Sequence, residues 1–215
     1  MTDNYYHRNE VSNSDLSWLK DRLYPKETVH DPTAAYAFGS LIDAMITEPE
    51  RVNYFKRTMD GKRIKKELFD NAAGMKKAFW NDEFCRSITE HSQGQKISVL
   101  HDKKFDYRDY EFKLDVRCKW DIWREDWKWG GDIKSTTATT QAQFEAAARY
   151  FDYDRQRAWY MDIENAERDV LIGISKANHK IFKIFINRDS EFYRSGKDKY
   201  MELAFRWFLL FGKTK

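Results

Sequence analysis

The stretch from Cys118-Lys119-Trp120-Asp121 to Gly131-Asp132-Ile133-Lys134 predicts both the fold and the chemistry of this chain. Each end of it has the pattern of a strand, and a short aromatic turn separates the two ends. Successive side chains of a strand point to opposite faces, so we expect Asp132 and Lys134 on one face and Ile133 in the core. A hairpin between the two runs would bring Asp121 alongside them. Two carboxylates and one amine would then meet at one point.

This trio suits the hydrolysis of a phosphodiester. Hard divalent cations such as Mg²⁺ prefer carboxylate oxygen and keep several waters, so two aspartates can hold the ion and leave positions open for water and phosphate. The ion activates the water and offsets the charge of the phosphate. A nearby ammonium can orient that water or accept its proton. The alternative for an isolated Asp-x-Lys is a surface ion pair beside a structural aspartate.

The composition is that of a folded domain rather than of a disordered chain. Of the 215 residues, 41% are hydrophobic and 34% are charged, which is enough apolar surface for a sizeable core. The net charge of +3 permits an anionic partner without requiring one. Cys85 and Cys118 lack the spacing of a metal site or a disulfide framework, which indicates a reducing compartment. With no signal segment and no run of ~18 apolar residues, we expect a soluble cytoplasmic protein with no membrane partner.

The rest of the chain predicts helices and strands in the order of a mixed fold. An opening helix ends at Pro25, and His30 with Asp31 is a metal pair only if the fold adds further ligands. Residues 102–108 are expected to form a charged turn. Helices are predicted at 34–47, 141–150, 155–164 and 192–211, and strands at 97–101, 110–116, 117–123, 169–175 and 180–187. The predicted fold class is α/β (α+β), with a central mixed, mainly antiparallel β-sheet flanked by helices.

Asp43 is the acidic residue of the otherwise apolar helix predicted at 34–47. A carboxylate on a largely buried helix is costly unless it is paired, hydrogen-bonded or bound to a metal. The alternative is that Asp43 lies on a solvent-facing turn of an amphipathic helix. The sequence leaves both open.

Residues 52–95 are basic and are predicted to be helical, with aromatic residues interleaved among the lysines and arginines. Lys62, Arg63, Lys65 and Lys66 form the densest part of this segment. Such residues can follow a phosphate backbone, where each contact releases counterions and makes binding sensitive to salt. The alternative is a solvated helix face without a nucleic-acid partner.

Four tryptophans, Trp120, Trp123, Trp127 and Trp129, crowd the predicted hairpin. Alternating aromatic residues on strands favour cross-strand and core packing. Stacking on nucleic-acid bases is the alternative interpretation.

Taken together, four motifs in this order resemble the PD-(D/E)xK nuclease superfamily, and in particular the prophage exonuclease VIII (RecE-type) branch. They are Gly39-Ser40-Leu41-Ile42-Asp43 with Glu48-Pro49, then Cys118-Lys119-Trp120-Asp121, Asp132-Ile133-Lys134-Ser135-Thr136, and Tyr153-Asp154-Arg155-Gln156-Arg157-Ala158-Trp159-Tyr160. The resemblance spans roughly residues 12 to 211. It implies a single nuclease domain over 1–215, with a helical N-terminal part at 1–95 and a restriction-endonuclease-like core at 96–215.

The resemblance also implies roles for individual residues. Asp121 and Asp132 would bind the metal, the carbonyl of Ile133 would complete the metal shell, and Lys134 would assist the attacking water. Asp43 stands where the exonuclease VIII branch usually has histidine, and its harder oxygen favours Mg²⁺ over Mn²⁺.

On the later helix, Gln156 and Tyr160 match the glutamine-tyrosine motif that positions DNA or the metal-site side chains in such nucleases. They are four residues apart, so they share one face of the helix. Ordinary helix packing is the alternative for this pair.

The implied function is a Mg²⁺- or Mn²⁺-dependent DNA exonuclease that acts on the ends of linear duplexes and leaves 5′-phosphates. Relatives of this kind serve phage recombination, pass the overhang to a single-strand annealing protein, and in some cases form ring-shaped homo-oligomers. Two alternatives stay open, a structure-specific or restriction-type endonuclease on the same fold and a non-catalytic DNA-binding protein.

Overall fold

The computed structural model of the protein describes residues 4–25 and 33–214. The pair His30 and Asp31 lies outside the described residues. Short 3-10 helices lie at Asn4–His7 and Pro49–Arg51. The α-helices are α1 (Asn13–Leu23), α2 (Thr33–Thr47), α3 (Lys66–Asn81), α4 (Glu83–Glu90), α5 (Gln141–Tyr150), α6 (Tyr153–Glu164) and α7 (Glu191–Phe211).

The strands form a small sheet and a large one. Strands β1 (Val52–Asn53), β2 (Thr58–Met59) and β3 (Lys62–Arg63) make the small antiparallel sheet, and β4 (Gln93–Tyr107), β5 (Tyr110–Arg124), β6 (Trp129–Thr136), β7 (Arg168–Ser175) and β8 (Ile181–Asn187) make the large one. In the large sheet, the strand order follows the chain order. The pair β6 and β7 is parallel, and the other neighbours are antiparallel. The predicted mixed, mainly antiparallel sheet flanked by helices is therefore confirmed.

Helices cover both faces of the large sheet. Residues of α1, α5, α6 and α7 pack in one apolar cluster, which includes Trp120 and Trp159. Residues of α2, α3 and α4 pack in a second cluster on the other face, together with Ile122 and Ile133. The helices before the sheet in the chain are thus packed directly on the strands that carry the predicted trio.

The first two strands of the large sheet correct the prediction for 97–123. A charged turn was expected at 102–108, but β4 continues to Tyr107 and turns only at residues 108 and 109. The predicted strands 110–116 and 117–123 are one strand, β5. A bulge between Leu100 and Lys103 accounts for the difference. It places Asp102 at φ 54°, where its N–H donates to the carboxylate of Asp115 at 2.8 Å, so the charged residues continue the strand instead of ending it.

The segment 52–95 also differs from its prediction, because its first part is not helical. Residues 52–63 form the small three-stranded sheet, and helices occupy Lys66–Asn81 and Glu83–Glu90. Asp60 and Gly61 have φ of 49° and 78°, the left-handed values that a tight hairpin turn requires. Arg51 donates to both carboxylate oxygens of Asp60, at 3.1 and 2.6 Å, and ties this turn to the 3-10 helix that follows α2.

Of the four tryptophans, Trp120 and Trp123 are buried, as core packing predicts, whereas Trp127 is half exposed beneath the guanidinium of Arg124. The closing helix begins after the N-cap Ser190 and ends before Gly212, close to its predicted bounds. None of the helices in the described ranges is long and apolar enough to cross a membrane.

Candidate active site

The two runs of the predicted trio pair as an antiparallel hairpin, with Ile122 opposite Gly131. On β6, Ile133 is 2% exposed and packs under α2 to α4, as predicted. Asp132 and Lys134 lie together on the opposite face, and the ammonium of Lys134 forms an ion pair with Oδ2 of Asp132. The strand pattern therefore places the acid and the amine of Asp-x-Lys in contact.

Asp121 reaches this pair because the alternation of β5 breaks at its position. Residues 120 and 122 of a regular strand share a face, yet Trp120 and Ile122 pack in opposite apolar clusters. On the neighbouring strand β4, Gln95 lies between the residues that pair with Ile122 and Trp120, and its φ of 52° is a left-handed value that interrupts the regular strand. The ladder between β5 and β6 covers Ile122 to Arg124, and beyond it Oδ2 of Asp121 accepts a hydrogen bond from the N–H of Ile133 at 2.8 Å. A side-chain carboxylate thus bridges the two strands where they separate.

Asp43 lies near the trio, on helix α2, which packs against β5 and β6. Its neighbour on that helix, Gly39, faces Ser135 of β6, with Oγ 3.9 Å from where a Cβ would stand. The pKa of Asp43 is raised well above its ordinary value by burial and by the negative charge of Asp121, and Lys134 opposes this rise. Of the two interpretations of Asp43, the structure places it as a partly buried acid beside the trio rather than on a solvent-facing turn.

Burial and the charges of neighbouring side chains shift the pKa values of the ionisable groups in the site. Burial and the charge of Asp132 raise the pKa of Asp121 to about 6. Burial disfavours the charged form of Lys134, but Asp132 and Asp121 outweigh burial and raise the pKa of that ammonium above its ordinary value. Lys134 therefore keeps its proton at neutral pH, and its ammonium lies 5.3 Å from the ring centre of Tyr153.

The helical pair Gln156 and Tyr160 lies on α6, which packs against this face of the sheet. Tyr160 is 7% exposed and meets Trp120 edge to face, with ring centres 5.3 Å apart. Burial raises the pKa of its hydroxyl, and the charge of Asp132 adds to this rise. Gln156 is partly buried one turn earlier.

The structure adds two residues that the motif analysis did not assign to the site. Arg157 donates to Asp132 from Nη1 at 2.9 Å and to Asp169 from Nε at 2.6 Å, with all three side chains buried. The sequence contains a signal for Arg157. It lies four residues after Tyr153 and three before Tyr160, so helical spacing puts it on the same helix face as these two residues. Asp169 could not be found this way, because only the parallel pairing of β6 and β7 brings it near Asp132.

The basic residues predicted to contact DNA lie apart from the trio along the chain. Lys62 and Arg63 form β3, Lys65 is the N-cap of α3 and Lys66 is its first residue, and all four are exposed. A groove of about 400 Å³, which we call the basic groove, is lined by Arg57, Arg63, Ile64, Lys65, Lys66 and Glu67. Helix α3 packs on α2, the helix that carries Asp43.

The donor set fits a divalent metal ion of the hard class. In residues 4–25 and 33–214, no group of three or more His, Cys, Asp or Glu side chains is arranged as a complete metal site. Mg²⁺ does not need such a group, because it commonly binds one or two carboxylates and keeps several waters. Asp121 and Asp132 supply two, and Oδ2 of Asp132 is contacted by the ammonium of Lys134, the kind of charge that an incoming cation would replace.

Comparison with known proteins supports the resemblance drawn from the motifs. Residues 19–203 match the model of a family described as a PDDEXK-like domain of unknown function, DUF3799. A search of curated proteins found no match.

Two solved structures are similar to this one. The first is a candidate exonuclease from Eubacterium rectale, with TM-score 0.58 and 16% identity, covering 92% of this chain and 73% of that one. The second is a phage-related exonuclease from Haemophilus somnus, with TM-score 0.42 and 13% identity, covering 95% of this chain and 96% of that one. The first of these shows a shared fold. With the family match over most of its length, the chain belongs to the PDDEXK-like family DUF3799.

Proposed function

We propose that this protein is a metal-dependent DNA nuclease, and specifically an exonuclease that removes nucleotides from the ends of linear duplexes and leaves 5′-phosphates. One observation carries the proposal. Asp121, Asp132 and Lys134 converge on one face of the sheet, where burial and the negative charge of Asp132 raise the pKa of Asp121 to about 6. A divalent cation would relieve the repulsion between these two carboxylates. Binding of DNA without cleavage does not require this trio.

Asp121 and Asp132 would hold Mg²⁺ or Mn²⁺, with Asp43 and the carbonyl of Ile133 as further oxygen donors. When bound, the ion supplies Lewis acidity at the phosphate and at the attacking water. Asp132 and Asp121 keep Lys134 protonated in the metal-free protein, and a cation bound to these carboxylates would offset their charge, so we assign Lys134 to orienting the phosphate and the attacking water or to accepting a proton from that water. Gln156 and Tyr160 would position the side chains of the site from α6.

The substrate end would be held by the basic groove. Four of its six lining residues are lysine or arginine and one, Glu67, is acidic. The groove therefore carries a net positive charge. Lys66 is paired with Asp70 at 2.7 Å, but both side chains are more than half exposed, so this pair is weak. A role in phage recombination, with a single-strand annealing protein as partner and a homo-oligomeric ring, is part of the same proposal.

The test compares an end-labelled linear duplex with a covalently closed circle, each incubated with Mg²⁺, Mn²⁺ or EDTA. We expect metal-dependent loss of the linear DNA alone, abolished in Lys134→Ala and retained in Lys113→Ala, which removes an exposed lysine from β5. The position of the label gives the strand polarity. Cleavage of the circle would favour the endonuclease alternative. Binding of DNA without cleavage of either substrate would favour a non-catalytic DNA-binding protein.

A second test addresses the basic groove. Replacing Lys65 and Lys66 by alanine removes up to two phosphate contacts, so the slope of log affinity against log salt should fall by about 2. The matched control replaces Lys104 and Lys113, exposed or partly exposed lysines paired across β4 and β5, with the same change in net charge. Equal effects of the two double variants would show that overall charge, rather than the groove, drives binding.

A further inference from the structure

A buried arginine, Arg157, connects the candidate active site to the neighbouring strand. Its side chain is 0% exposed, with Nη1 2.9 Å from Oδ1 of Asp132 and Nε 2.6 Å from Oδ2 of Asp169. Because the guanidinium has no exposed surface, it cannot contact a DNA phosphate. Any effect of Arg157 on the site must therefore pass through the residues that it contacts, and among these Asp132 is the proposed metal-binding carboxylate.

The guanidinium is held in one orientation. It lies over the rings of Trp120 and Tyr160, 4.6 Å from each ring centre. Asp169 is itself fixed, since its Oδ1 accepts a hydrogen bond from the N–H of Val170 at 2.7 Å. A planar donor that is clamped by two aromatic rings and one anchored carboxylate leaves Asp132 little rotational freedom.

The two oxygens of Asp132 have different surroundings. Oδ1 is bound by the enclosed Arg157, whereas Oδ2 faces the ammonium of Lys134, whose side chain is 21% exposed. Lys134 is a flexible point charge and can move when another cation arrives, but Arg157 cannot. Oδ2 is therefore the oxygen that an incoming cation can reach.

We propose that Arg157 is a positioning residue of the metal site, which holds Oδ1 of Asp132 and so presents Oδ2 to a divalent cation such as Mg²⁺ or Mn²⁺. This inference rests on the proposed function, since the cation is the one that the nuclease would use. It also gives Tyr160 a task in the glutamine-tyrosine motif, because the Tyr160 ring is one of the two surfaces that orient Arg157.

Three variants separate positioning from packing. Arg157→Lys keeps the charge but loses the planar group that donates in two directions. Arg157→Gln combined with Asp169→Asn removes one charge of each sign, which avoids an unpaired buried carboxylate at Asp169. Asp169→Asn alone is the matched control, because it leaves the contact between Arg157 and Asp132 in place.

The primary measurement is the affinity of the metal-free protein for Mn²⁺ by titration calorimetry, beside the Mg²⁺ concentration that gives half-maximal cleavage. We expect both Arg157 variants to stay folded and to bind Mn²⁺ about 10- to 100-fold more weakly, the usual effect of losing a residue that orients a metal ligand. High Mg²⁺ should restore much of their cleavage rate. Asp169→Asn keeps the contact between Arg157 and Asp132 and loosens only the anchor of Arg157, so it should weaken Mn²⁺ binding less than either Arg157 variant does.

Unchanged Mn²⁺ affinity in both Arg157 variants would overturn the assignment, and so would equal weakening in Asp169→Asn. Failure of both Arg157 variants to fold would show a structural role instead and would also overturn it. If the wild type binds Mn²⁺ with this dependence on Arg157 but cleaves no DNA, the proposed function fails while the positioning role stands. If both Arg157 variants cleave DNA with an unchanged Mg²⁺ requirement, the positioning role fails while the proposed function stands.

Discussion

Replacing Asp121 by asparagine should stabilise the metal-free protein while it abolishes cleavage. Burial and the charge of Asp132 raise the pKa of Asp121 to about 6 from the ordinary 3.8. The folded protein therefore binds this proton more tightly than the unfolded chain does, so ionisation of Asp121 at neutral pH opposes folding. Asparagine removes the charge but keeps an oxygen that can accept the hydrogen bond from the N–H of Ile133.

The size of the effect follows from the pKa shift. A rise of about 2 units corresponds to about 3 kcal/mol at 1.36 kcal/mol per unit. Because Lys134 and solvent relax around the charge, we expect a gain of about 1 to 3 kcal/mol in the free energy of unfolding at pH 7.5. Between the two pKa values the penalty falls as the pH falls, so the gain should drop to about half at pH 5 and to about a fifth at pH 4.

Urea unfolding in EDTA at pH 7.5 and pH 5 measures this gain. The matched control is Asp198→Asn on the exposed face of α7, which makes the same charge change away from the site and should shift stability by less than about 0.5 kcal/mol. Saturating Mg²⁺ should stabilise the wild type more than Asp121→Asn, because a ligand stabilises only the form that binds it. An Asp121→Asn protein less stable than the wild type at pH 7.5, or a gain that grows as the pH falls, would refute the reasoning.

Two further predictions concern the core. Alanine at Gly130 would place its Cβ 1.8 Å from Cζ3 of the buried Trp120, so we expect the free energy of unfolding to fall by about 1 to 3 kcal/mol or more. Alanine at Gly39 on α2 would meet its nearest neighbouring atom only at 3.9 Å, so we expect it to stabilise the helix by about 0.5 to 1 kcal/mol. Urea unfolding of both variants checks this, and a Gly130→Ala protein as stable as the wild type would contradict the packing. Burial raises the pKa of the thiols of Cys85 and Cys118, so both should react slowly with a thiol reagent in the native protein and rapidly in denaturant. Rapid labelling of either thiol before unfolding would count against this prediction.

Predictions from local sequence patterns were the most reliable. Period-two alternation placed Ile133 in the core and put Asp132 and Lys134 on one face, which the structure confirms. Helical periodicity and caps located α2 and α7 to within a residue or two of their bounds. Such patterns predict helices and strands well because the direction of a side chain is set by residues that are close to it in the sequence.

The errors arose where a local pattern had two solutions. Charged residues after Asp102 suggested a turn, yet a bulge lets them continue β4. The basic run after Val52 suggested a helix, although Asp60-Gly61 is itself a hairpin signal. In each case a contact with a distant partner, Asp115 or Arg51, selects the observed form.

The sequence by itself determined the order of the elements, the face on which the acid and the amine of β6 lie, and the family to which the motifs point. Only the tertiary structure decided that the alternation of β5 breaks at Asp121, that α2 brings Asp43 near the trio, and that Arg157 joins Asp132 to Asp169. The physical reason is distance along the chain. A side chain's face is fixed by its immediate neighbours, but the cost of burying a charge depends on partners that become neighbours only when strands and helices far apart in sequence pack together.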